Sequence, residues 1–192
     1  MTMNIKLKES ILVSLVFLLF SNLSNASQNY PQVEIVTTSG TIVIELDRNR
    51  APKSVENFLS YVESGAYVGT IFHRVIPGFV IQTGGYDVNL NEIDTSPEII
   101  NESGNGLKNQ RMSIGMARAN DPHSASSQFY INLSDNFSLD PMPTRWGYAV
   151  FGDVIEGFSI VDNIASNATQ STKGFQDVPV APIIILEASR ID

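Results

Sequence analysis

The chain has 192 residues, a formal net charge of −8 and a pI near 4.7, with 43% of its residues hydrophobic. So acidic a protein has no electrostatic reason to seek nucleic acid or an anionic membrane surface. With no cysteine and two histidines, disulfides are excluded and a structural zinc site lacks its usual ligands, so no metal or cofactor is expected.

The first segment reads as an export signal. Lys6 and Lys8 precede an apolar run from Ile11 to Phe20, and Ser24-x-Ala26 follows with small residues where a signal peptidase cuts. Ten apolar residues are too few for a stable anchor. The expectation is a signal peptide over 1–26, cleavage before Ser27, and one domain over 27–192 that is free in the periplasm. Such a length suits a single core.

Strand-like runs then dominate: Val33 to Thr37, Thr41 to Leu46, Ser113 to Ala117, Gln128 to Leu133, Tyr148 to Ile155 and Ile183 to Ala188. Ser39-Gly40 reads as the hairpin turn between the first two. From Pro52 to Ser64, Val55, Phe58, Leu59 and Val62 recur at helical spacing, with Pro52 suited to the first turn and Gly65 to the stop. Phe72 to Gln82, F-H-R-V-I-P-G-F-V-I-Q, reads as two short strands hinged at Pro77-Gly78. Alternation sends Arg74, Ile76, Val80 and Gln82 to one face, which sets a cation in an apolar bed, and His73 to the other.

Polar, glycine-containing stretches over 86–106 and 167–182 read as loops. A weaker helix over 157–165 is expected to bury Phe158, Val161 and Ile164. Many short strands without strand-helix alternation predict a mainly β fold: a closed eight-stranded antiparallel barrel capped by two α-helices. Closure would remove the sheet's edges, and with the net negative charge it makes a monomer the expected state.

The ordered motifs A-P-K-S-V-E-N-F (51–58), F-H-R-V-I-P-G-F (72–79), N-G-L-K-N (105–109), M-A-R-A (116–119), S-Q-F-Y-I (127–131) and W-G-Y-A-V-F-G (146–152) resemble the cyclophilin family of peptidyl-prolyl cis/trans isomerases. The resemblance runs from about Val33 to Ile191 and is greatest to the exported cyclophilins of Gram-negative bacteria. It implies Arg74 as catalytic cation, with Gln82 and Phe79 beside it. It further implies substrate contacts at Val80, Ala117, Arg118, Ala119, Gln128, Tyr130, Phe137, Leu139 and Tyr148. The implied partners are proline-containing unfolded or partly folded polypeptides.

The chemistry follows from the amide. Rotation about an X-Pro bond faces about 18 to 20 kcal/mol because the nitrogen lone pair must leave conjugation. In the twisted state that nitrogen is pyramidal and accepts a hydrogen bond, so a guanidinium aimed at it binds the transition state better than either planar isomer.

The chain departs from the better-known eukaryotic pattern at Val80, Tyr130, Tyr148 and Arg118, where methionine, phenylalanine, histidine and asparagine are usual. The rim tryptophan is replaced near Phe137 and Ser138, which implies weak cyclosporin binding. A hydrolase built on His73 or His123 with Ser124, Ser126 and Ser127 lacks a G-x-S-x-G elbow. The alternative class is a non-catalytic module that holds a proline loop, or a periplasmic holdase.

Overall fold

The computed structural model describes residues 29–191; the expected signal peptide and its cleavage before Ser27 lie outside them. The elements run β1 (Gln32–Thr37), β2 (Gly40–Leu46), α1 (Pro52–Glu63), β3 (Arg74–Ile76), β4 (Val80–Thr83), β5 (Ser113–Met116), β6 (Phe129–Asn132), β7 (Val150–Glu156), α2 (Phe158–Ala165), β8 (Thr169–Thr172), β9 (Phe175–Pro179) and β10 (Ile185–Arg190). Eight strands make one antiparallel sheet in the order β10-β1-β2-β7-β5-β6-β4-β3. Among the described residues the fold is mainly β with two α-helices, as expected.

The sheet curls without closing its ladder, which corrects the expected closed barrel. Its edges are β3 and β10, and the gap is spanned by Gly69 N–H to Ile185 O (2.8 Å), Ile185 N–H to Thr70 O (2.8 Å) and Phe72 N–H to Ile183 O (3.0 Å). One isolated bridge, Ile71 to Ile184, lies between them. One physical reason is local: Pro182 has no N–H to extend that pairing ahead of β10.

Period-two alternation buries Val33 and Ile35 of β1 and Ile42, Ile44 and Leu46 of β2. Helix α1 packs Val55, Phe58, Leu59 and Val62 against them as its spacing predicts. Phe58 sits among Tyr67, Phe129 and Phe151 at centroid distances of 5.1 to 5.4 Å, edge-on to Phe129 and tilted against the other two rings, within the spacing that aromatic pairs favour. Ala51 offers no capping side chain to α1, and the Glu102 carboxylate instead accepts the N–H groups of Lys53 (3.1 Å) and Ser54 (2.8 Å). A carboxylate there also complements the helix dipole.

Three local expectations differ. The first hairpin turns at Thr38-Ser39, one residue earlier than read, because Thr37 pairs with Gly40. Helix α2 buries Val161 and Ile164, but Phe158 is 46% exposed; Ile160 packs against the core in its stead. The segment over 167–182, read as loop, contains the β8–β9 hairpin, whose Thr-Gln-Ser-Thr strand has no apolar face to betray it.

Candidate active site

Strands β3 and β4 form the expected hinge. Phe79 N–H donates to Ile76 O at 3.0 Å across Pro77-Gly78, and Gly78 has φ of +74°. Proline followed by a positive-φ glycine is the requirement of a type II turn. The register puts Arg74 opposite Gln82 and Ile76 opposite Val80, so the four share a face. The β4–β6 and β5–β6 ladders then set Tyr130 beside Gln82 and Gly115.

These strands enclose a cavity of about 190 Å³, room for one small ring rather than a drug-sized ligand. Phe79, Val80, Tyr130, Leu139 and Tyr148 form its apolar part, and Arg74, Gln82, Ala117 and Arg118 its polar edge. Arg74 Nη1 donates to Gln82 Oε1 at 3.3 Å, and Gln82 Nε2 donates to Gln128 Oε1 at 2.8 Å. Arg74 has no carboxylate partner among the described residues, so its charge is not neutralised locally.

Arg118 is held differently. Its guanidinium lies 4.4 Å from the Tyr148 ring centroid, a cation-π distance. It donates to Ala119 O (2.9 Å), Trp146 O (3.2 Å) and Gly147 O (3.4 Å), tying the 146–148 segment to the pocket wall. Trp146 packs edge-on to His123 at 5.2 Å. His123 Nδ1 accepts the Asn101 N–H at 3.1 Å, a structural bond in a loop.

Nine of the twelve expected site residues line this cavity. Ala119 and Gln128 line an adjoining groove of about 390 Å³, which shares Gln82, Ala117 and Arg118 with it. Phe137 stands outside both linings, 54% exposed on a 3-10 turn over Phe137–Leu139. His73 lies on the opposite face as expected, 4% exposed, edge-on to Tyr86 at 4.8 Å, with Tyr86 in turn against Phe175 of β9 at 4.8 Å. Burial lowers its pKa to about 4; the Arg74 charge adds to this, and the Ile71 backbone and Gln128 side chain oppose it.

Sequence reasoning missed Asn109, which quoted motifs contained but to which no role was given. Fully buried, it accepts the Tyr130 hydroxyl at 2.6 Å and donates to Asp140 from both its backbone (2.9 Å) and its side chain (3.0 Å). Burial raises the Tyr130 pKa well above its usual value, so the phenol stays a donor. Burial would also raise that of Asp140, but the Asn109 donors and the Lys108 ammonium at 3.3 Å outweigh it and hold the carboxyl below its ordinary value. No local signal marks Asn109, because an asparagine in a glycine-containing loop reads as a turn former.

Comparison with known proteins identifies the family. The family described as "Cyclophilin type peptidyl-prolyl cis-trans isomerase/CLD" matches residues 32–190. The chain is 52% identical over 159 residues to peptidyl-prolyl cis-trans isomerase cyp18 of Streptomyces antibioticus, covering 81% of this chain and 96% of the relative. It is 46% identical over 153 residues to peptidyl-prolyl cis-trans isomerase B of Escherichia coli, covering 78% and 93%. Among solved structures it is similar to a cyclophilin-type isomerase of Cryptosporidium parvum, with a TM-score of 0.71 at 28% identity, covering 85% of this chain and 98% of that one. The same parasite protein, described as in the presence of the dipeptide Ala-Pro, gives a TM-score of 0.70 at 29% identity, covering 84% and 99%. With a family match across nearly every described residue and a pocket built of the expected side chains, this chain belongs to the cyclophilin-type peptidyl-prolyl cis-trans isomerases.

Proposed function

We propose that this isomerase works by seating proline in the apolar part of the 190 Å³ cavity while Arg74 donates to the prolyl nitrogen as the amide twists. The observation that carries the reading is the position of Arg74: a guanidinium at the edge of an apolar pocket, steadied by the neutral Gln82 at 3.3 Å and unpaired with any described carboxylate. A neutral partner orients the cation without cancelling the charge that the transition state uses. Gln128 holds Gln82 in turn. The backbone at Ala117 to Ala119 runs beside the substrate main chain, and Phe79, Val80, Tyr130, Leu139 and Tyr148 exclude water from the ring.

The substrates are X-Pro bonds of unfolded or partly folded polypeptides in the periplasm, where slow isomerisation limits folding. The short apolar run and Ser24-x-Ala26 support export, and intact mass beginning at Ser27 in the soluble fraction tests it. The protein acts as a monomer. Exposed Ser138, where an aromatic rim would be, supports weak cyclosporin binding.

Arg74→Ala tests the mechanism. Loss of a charge-assisted bond worth roughly 1.5 to 3 kcal/mol lowers turnover by about one to two orders of magnitude, with little change in peptide affinity. Arg74→Lys rescues poorly, because an ammonium lacks the planar fork. Exchange NMR on an X-Pro peptide, with a thermal melt as folding control, reads both; a wild-type rate in Arg74→Ala removes Arg74 from the mechanism.

A further inference from the structure

Two guanidiniums line the proline pocket, and they are held in opposite ways. Arg74 bonds the neutral Gln82 side chain at 3.3 Å. Arg118 has each of its nitrogens engaged by a backbone carbonyl: Nε donates to Gly147 O (3.4 Å), Nη1 to Ala119 O (2.9 Å) and Nη2 to Trp146 O (3.2 Å), while its face lies 4.4 Å from the Tyr148 ring centroid. A guanidinium turned to its own chain by all three nitrogens is spent on holding that chain.

The backbone of the segment it grips has other anchors. Gly147 N–H donates to Ser103 Oγ (3.1 Å), Gly147 O also accepts the Asn101 side-chain amide (3.0 Å), and Tyr148 N–H donates to Leu139 O (2.9 Å). What those bonds leave free is the Tyr148 side chain. Tyr148 is half-buried, no hydrogen bond engages its hydroxyl among the described residues, and its ring partners are Arg118 and the edge-on Tyr130 at a 6.2 Å centroid distance. A ring so placed can turn to another rotamer, toward solvent, unless something covers its face.

The position of that ring matters to the cavity. Tyr148 shares the lining of the 190 Å³ space with Phe79, Val80, Tyr130 and Leu139. Swinging it outward opens one apolar wall, and a bound proline ring would then keep part of its surface in water. The loss weakens the planar and the twisted amide alike, because contacts to the ring do not depend on rotation about the bond that precedes it. It is felt as affinity rather than as turnover.

We propose that the Arg118 side chain is a positioning residue of this isomerase: it holds the Tyr148 ring in the wall of the proline cavity and so sets affinity for the proline-bearing chain without bonding that chain itself. The inference rests on the reading that proline occupies the Arg74 pocket. The test titrates the peptide Ala-Ala-Pro-Phe by NMR shift changes for Kd and follows it by exchange NMR for the isomerisation rate at saturation. Arg118→Ala weakens Kd by about five- to tenfold and leaves the saturated rate within about twofold of wild type. Tyr148→Ala weakens Kd to a similar extent, and the double variant adds almost nothing further. Arg118→Lys recovers only part of the loss, because an ammonium covers the ring but cannot bond three carbonyls at once. Additive Kd losses, or a fall in rate at unchanged Kd, overturn the proposal. A second reading needs no variant at Arg118: its side-chain protons lie upfield in wild type, over the Tyr148 ring, and return to ordinary shifts in Tyr148→Leu, whereas ordinary shifts in wild type overturn the contact. A wild-type rate in Arg74→Ala with the Kd pattern intact removes the Arg74 mechanism and leaves the role of Arg118 standing; additive Kd losses with Arg74→Ala inactive do the reverse.

Discussion

The Tyr130 hydroxyl donates to Asn109 Oδ1 at 2.6 Å, and this bond ties the wall of the Arg74 cavity to a loop with no part in its lining. Gly115 makes the arrangement possible, since a Cβ there would collide with the Tyr130 ring and hydroxyl. Asn109 also takes a side-chain N–H from Asn132 (3.3 Å) and bonds Asp140, which sits next to Leu139 in the wall. A buried network in which every group is satisfied fixes one geometry; removing its centre orphans several groups together.

Asn109→Ala is therefore expected to destabilise the protein by about 2 kcal/mol or more, because the Tyr130 hydroxyl and the Asn132 amide lose an acceptor and Asp140 loses a donor. Tyr130→Phe removes one bond and costs about 1 kcal/mol. Urea midpoints decide the order, and equal stability of Asn109→Ala and wild type would show that the network contributes nothing.

Gly85 sits under Gln128. A Cβ added there would lie 2.6 Å from Gln128 Cδ and Cγ and 2.7 Å from Nε2, so Gly85→Ala must push the amide away from Gln82. Its φ is not in the positive region, so the backbone accepts alanine and the damage stays local. Loss of the 2.8 Å Gln82–Gln128 bond should lower kcat/KM about tenfold with a small change in Tm. In a Gln128→Ala background the same substitution should cost almost nothing further. An additive loss would mean that Gly85 acts by another route.

Much of this site is legible in the sequence for definite reasons. Period-two alternation around Pro77-Gly78 fixes the face of Arg74, Ile76, Val80 and Gln82, and a four-residue apolar repeat fixes α1. What stays hidden depends on contacts between distant segments: Gln128 reaching Gln82 across 46 positions, and Glu102 capping a helix 48 to 49 positions away. Phe158 misleads because α2 spans only eight residues. With so few turns, a three-residue spacing does not tell Phe158 from Ile160 as the inward side chain. The β8–β9 hairpin is silent in the sequence because β8 is polar throughout and pairs with β9, which Phe175 against Tyr86 and the buried Val178 anchor.

His73 carries the last prediction. Its ring is 4% exposed, Nδ1 has no hydrogen-bond partner, and burial holds the pKa at about 4 against an ordinary 6.5. The unfolded chain then binds more protons than the folded one between those values, so stability rises with pH through that window. The contribution is fully present above about pH 6.5 and is lost as pH falls toward 4, to the extent of about 3 kcal/mol. Asp140 and Asp87 also titrate below their usual values and Asp153 above it, so wild type alone does not isolate the imidazole. Comparison with His73→Gln subtracts those carboxylates. The variant should lose less stability than wild type between pH 7.5 and 4.5, bringing the two urea midpoints together or reversing their order on acidification. Parallel pH profiles for the two proteins would mean that His73 is not the buried base that this environment describes.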